Sequence, residues 1–130
     1  MRERAQLWIG VSNREESMAR VLSRARLYEG TALHARRAAS SALIAILAEH
    51  GWAHASNGCR DLCRTLEAHA ITPPRDVLDA AETLDARAAA ADLDATGAPP
   101  SESCTDDAAA ACLECVTRVR SYVNTVLTRG

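Results

Sequence analysis

The chain has 130 residues, 48% of them apolar, and a formal charge of −2, which suits one domain spanning 1–130 with its own core. All 15 basic residues are arginine, and the near-neutral balance excludes a dedicated duplex-DNA binder with a basic face. No uncharged apolar run reaches the roughly 18 residues of a membrane span, and the N-terminus lacks the apolar core of a signal peptide, so a cytoplasmic protein is expected.

Alanine and arginine dominate, and both favour helix. The first helix is expected from about Arg2 to Leu27, with Trp8, Val11, Met18, Leu22 and Ala25 on one face and Glu15 interrupting the row. Gly10 weakens it, and Glu29-Gly30 is the expected break. The second helix, to His50, is the most informative segment. Leu43, Ile44, Ile46 and Leu47 leave its second half no polar face, so it belongs in the middle of a bundle. Gly51 is its C-cap. A short third helix spans about Gly58–His69, capped by Ser56 or Asn57, with Cys59, Leu62, Cys63 and Leu66 inward. After Thr72-Pro73-Pro74, with Thr72 as N-cap, a fourth helix covers about Pro74–Leu93 with Val77, Leu78, Ala81, Leu84 and Ala88 inward. Residues 94–104 are rich in turn formers and read as a surface loop. The last helix runs to about Leu127, capped by Ser103 or Thr105, with Ala108, Cys112, Cys115, Val119, Tyr122 and Val126 as its seam. The expected fold is all-α: an antiparallel four-helix up-and-down bundle with an additional short helix.

The polar residues of the second helix are the leading candidates for chemistry. His34, Arg36, Arg37, Ser40 and Ser41 gather on its first half, and a guanidinium fork there suits a phosphate or a carboxylate. Neighbouring helical residues point about 100° apart, so the two arginines are expected to face different surroundings. The alternative is ion pairing with Glu15, Glu16 or Glu82 across the bundle. Cys59-x3-Cys63 and Cys112-x2-Cys115 each set two sulfurs on one helical face. They fit core positions, and a zinc, copper or cluster site is the competing reading. Five cysteines, an odd number, fit reduced thiols better than a disulfide framework. No Gly-rich phosphate loop or nucleophile motif is present, so no cofactor is expected and an enzyme is the less favoured reading.

Tyr28, the run Arg36-Arg37-Ala38-Ala39-Ser40-Ser41-Ala42-Leu43-Ile44, the turn Ser56-Asn57-Gly58 with Asp61-Leu62, and Ala80-Ala81 with Leu84-Asp85 resemble the HEPN family in order and placement. The likeness covers nearly the whole chain. Ser40 and Ile44 stand where that family usually has an acidic residue and a lysine. Residues 86–92 replace its usual polar end of helix 4. The resemblance implies a nucleotide- or phosphate-binding module, or an accessory subunit beside a nucleotidyltransferase-type partner. Arg36 or Arg37 would supply the contacts, with Arg87 opposite. A homodimeric interaction module without ligand is the alternative. A third reading follows the family's ribonuclease branch, in which an arginine precedes a histidine by a few residues; Arg64 and His69 have that spacing.

Overall fold

The computed structural model describes residues 1–92, 99 and 102–129. Among them are five α-helices: α1 (Glu3–Arg24), α2 (Tyr28–His50), α3 (Cys59–Ala68), α4 (Arg75–Ala91) and α5 (Asp106–Thr128). Helix α2 is the axis. Every residue from Ala38 to Leu47 is buried, as a helix without a polar face requires. Leu43, Ile46 and Leu47 meet Leu62 and Leu66 of α3, Leu84 of α4, and Val116, Val119 and Val123 of α5 in one core. Each such side chain contributes about 1.5–3 kcal/mol on burial, so the bundle is held mainly on this side of α2. No helix among the described residues is long and apolar enough to cross a membrane.

The opposite side of α2 packs differently. Helix α1 buries Ala5, Ser12 and Ala19, all 0% exposed and seven residues apart. Small residues at heptad spacing let the α1 backbone lie close against the alanines of α2, and the Ser12 hydroxyl donates to the Ala38 carbonyl at 2.7 Å. The buried row is therefore rotated from the expected one: Trp8 and Leu22 are half-buried and Met18 is 42% exposed. Apolar size misled the periodicity, because the residues that permit close approach are the small ones.

The turns also differ from expectation. The chain reverses at Arg26, in the left-handed region at φ 62°, and Gly30 lies inside α2. Gly30 answers a packing need instead, since a Cβ there would stand 2.8 Å from a Leu22 methyl. Gly51 closes α2 at φ 69°, with the Trp52 N–H donating back to Leu47 O at 2.9 Å, as expected of a left-handed C-cap. Helix α4 takes Pro74, not Thr72, as its N-cap, while Thr105 caps α5 by accepting from the Ala108 N–H at 3.2 Å. Helix α4 ends at Ala91; Leu93 and most of the 94–104 loop fall outside the described residues.

Candidate functional site

One cavity of about 200 Å³ brings Arg36, Arg37, Ser40, Ser41 and Ile44 of α2 together with Trp8 of α1 and Asn57 of the α2–α3 connector. Both arginines border it, contrary to the expectation from their 100° separation. Each lies one turn before a serine of the same cavity, Arg36 before Ser40 and Arg37 before Ser41. They are not equivalent. Arg36 donates to the Asn57 carbonyl at 3.3 Å, and Ser40 donates to that same oxygen at 2.6 Å while its hydroxyl also meets the Cys59 sulfur at 3.3 Å. Arg36 further borders an adjoining cavity of about 280 Å³ lined also by Asp85 of α4 and by Asp92, the residue that follows that helix. Arg37 is exposed and has no hydrogen bond or ion pair with any described residue. Ser41 is only 6% exposed and its hydroxyl likewise has no partner there. The arginines do not pair with the glutamates proposed for them. Glu16 binds Arg120 at 2.6 Å, and Glu15 binds His34.

The Asn57 carbonyl is held in place from α4. The Asp85 carboxylate accepts the Cys59 and Arg60 N–H groups, both at 2.9 Å, and so caps α3 from a neighbouring helix. Gly58 occupies the N-cap position and has no side chain to do this. Ser56, one of the two expected caps, accepts from the Gly58 N–H at 3.2 Å and donates to Asp61 at 3.0 Å. The connector thus reaches α3 through a fixed turn whose carbonyl faces the cavity.

A family model for the HEPN domain matches residues 5–126. The chain belongs to the HEPN family. Two solved structures resemble it closely in fold. ST0689, an archaeal HEPN homologue, is 25% identical with a TM-score of 0.76, covering 95% of this chain and 98% of its own. TT1696 from Thermus thermophilus is 22% identical with a TM-score of 0.86 over the same shares. No curated protein matches the chain.

Within this HEPN bundle the remaining candidates are dispersed. His34 does not face the Arg36–Arg37 cavity. Its Nδ1 lies 2.5 Å from Glu15, and the residue borders a cavity of about 400 Å³ with Arg14, Ser17, Met18, Val21 and Leu22. Arg87 does not line the arginine cavity either; its charge acts on Cys112 of α5. Arg64 and His69, which have the spacing of the ribonuclease branch, each have other contacts. Arg64 is held by Asp61 at 3.0 Å, whereas His69 stacks on Trp52 at 3.9 Å, with His50 on the other face at 4.1 Å. The cysteines do not converge on a metal. No group of three or more His, Cys, Asp or Glu side chains among the described residues could hold one. Burial pushes Cys59 up to about 12 and Cys63 and Cys112 up to about 11, so these thiols are packed in the core in their protonated form. Sequence reasoning gave Asp85 no capping role and offered Glu15 an arginine partner where the structure gives it His34. Glu15 interrupting an apolar row was the available signal for the His34 contact.

Proposed function

We propose that this HEPN protein binds a phosphate-bearing ligand of nucleotide type, with the phosphate between Arg37, Arg36 and Ser41 and the base along Trp8. The accessory role beside a nucleotidyltransferase-type partner belongs to the same reading and follows from the family. The observation that carries it is Arg37: a guanidinium unpaired among the described residues, lining one cavity with Ser41, whose hydroxyl has no described partner, and with Trp8. A planar fork and a hydroxyl donor complement phosphate oxygens, and an indole face accepts any base. The test is a thermal-shift and calorimetric screen against AMP and ATP, with and without magnesium. A hundredfold excess of ligand over Kd stabilises the fold by about 2.7 kcal/mol, a shift of several degrees. Arg37→Gln should remove that shift and leave the unliganded melting temperature unchanged, because Arg37 has no partner among the described residues. A wild-type protein that shifts with neither nucleotide overturns the proposal.

A second reading, a homodimer, is favoured by the outer face of α1. Leu7, Met18 and Val21 are 61%, 42% and 58% exposed there at helical spacing. Sedimentation velocity should then show a dimer that Val21→Glu converts to monomer. A wild-type chain that stays monomeric at high micromolar concentration rules the reading out.

A further inference from the structure

A groove of about 840 Å³ runs along α5 and shares no lining residue with the Arg36–Arg37 cavity. Arg20 of α1, Thr72 and Pro74 of the α3–α4 connector, and the first turn of α4 also line it. Leu113 and Arg129 both border it, so it extends about 24 Å along the helix axis. That is too long for a compact small molecule and matches about seven residues of extended chain at roughly 3.3 Å each. Val77, Leu113 and the Tyr122 ring supply apolar surface, and Leu113 and Tyr122 pack against the core below. The hydroxyls of Thr72, Ser121 and Tyr122 border the same groove and have no hydrogen bond to any described residue. An extended peptide brings unpaired backbone N–H and C=O groups that such hydroxyls can serve, whereas a helix satisfies its backbone internally.

Charge decides what such a segment must carry. Arg20 is engaged with Glu16 at 3.6 Å and with the Thr117 hydroxyl at 3.2 Å. Arg118 meets Glu114 at 3.3 Å and Asp76 at 3.9 Å, so both carboxylates lining the groove are taken up by one guanidinium. The Arg129 side chain has no hydrogen bond or ion pair with any described residue. Helical side chains lean toward the N-terminus, which sets Arg129 back toward Thr125 and Tyr122. Burial pushes the Tyr122 hydroxyl up, and the Arg129 guanidinium stands close enough to oppose that rise. This end of the groove therefore holds one unbalanced cation beside a phenol, with no carboxylate among the described lining residues. A single carboxylate on an otherwise apolar chain is its complement. A polyanion fits poorly, because Glu114 and Asp76 would oppose it along the rest of the groove.

We infer that the α5 groove docks an extended, largely apolar peptide segment of a partner protein, with a carboxylate of that segment on Arg129. The inference is independent of the nucleotide reading, since the two sites share no residue. It is tested by selecting random heptapeptides, displayed with free C-termini, on the full chain and measuring the affinity of those retained by fluorescence anisotropy. The retained peptides should be apolar with an acidic residue or the terminal carboxylate as their one essential charge. Removing that carboxylate, by amidation or replacement with glutamine, should weaken binding about tenfold. Arg129→Gln should cost the same, and the two changes together should cost no more than either alone. Ser121→Tyr, at an exposed position lining the groove, should block the peptide and leave the melting temperature unchanged. Retention of no peptide, retention of basic peptides, or an affinity that survives Arg129→Gln overturns the inference. A chain that self-associates without peptide and is dispersed by Ser121→Tyr gives the groove to a second copy, which overturns it equally.

Discussion

Replacing Asp85 by alanine should destabilise the bundle by about 3 kcal/mol, far more than its half-buried position on α4 suggests. The carboxylate accepts two backbone N–H groups at 2.9 Å and stands at the positive end of the α3 dipole. Charge-assisted bonds of this kind contribute about 1.5–3 kcal/mol each when their partners are lost from partly buried positions, and the dipole adds some tenths. No other described side chain is placed to substitute. Gly58 has none, and the Ser56 hydroxyl is already engaged with the Gly58 N–H and Asp61. Asp85→Asn keeps an acceptor oxygen without the charge and should cost about half as much. Urea denaturation measures the loss, and amide exchange localises it: protection should fall first in 59–66. Alanine at 85 with an unchanged urea midpoint would show that packing of Leu62 and Leu66 alone holds α3. The same variant should loosen Asn57, whose carbonyl anchors Arg36 and Ser40. It therefore tests the link between the cap and the ligand cavity.

Asp85 also marks the limit of what the sequence discloses. The helices, their order and the central place of α2 follow from composition and from one segment, residues 38–47, that has no polar face. Such features are local, and local periodicity reads them correctly. The Gly51 and Thr105 caps are equally local and appear where a capping residue stands beside its own helix. What escaped is whatever depends on two elements meeting. Asp85 lies 25 and 26 residues from the amides it caps, and no spacing rule pairs them. The rotation of α1 was misjudged because Trp8, Met18 and Leu22 outweigh Ala5, Ser12 and Ala19 on any scale of apolarity. Here the small residues decide the packing by letting two backbones approach. That single rotation had consequences for the site. It left Trp8 half-buried, packed against the core and lining a cavity, and placed Glu15 against His34. Arg36, Arg37, Ser40 and Ser41 stand out in the sequence because they are polar residues on an otherwise enclosed helix.

The fold should lose stability steeply above about pH 9 because of its buried thiols. Cys59, Cys63 and Cys112 are all 0% exposed, and burial raises them to about 12, 11 and 11. In the unfolded chain a thiol ionises near pH 8.5. Below that value both states keep the proton and the thiols contribute their full stability. Between about pH 9 and 11 the unfolded chain has released these protons and the native state has not. Fewer protons are then bound in the unfolded state, so unfolding becomes easier as pH rises. Each thiol contributes about 1.4 kcal/mol per pH unit, or roughly 4 kcal/mol per unit for the three together. A typical domain has only about 5–15 kcal/mol to lose, so the bundle should approach its unfolding transition by pH 11. Urea midpoints followed by circular dichroism from pH 8 to 10.5 under reducing conditions check this. Cys59→Ala should flatten the slope by close to one proton, since Cys59 touches only Ser40 and the Arg36 carbonyl among polar groups. A midpoint constant over that range would mean that the thiols ionise within the native fold, which would require water to reach the contact between α3 and α2. That same contact carries Ser40, which lines the Arg36–Arg37 cavity. A slope matching three protons would instead establish that the contact is dry, leaving Arg37 and Ser41 as the groups available to a ligand.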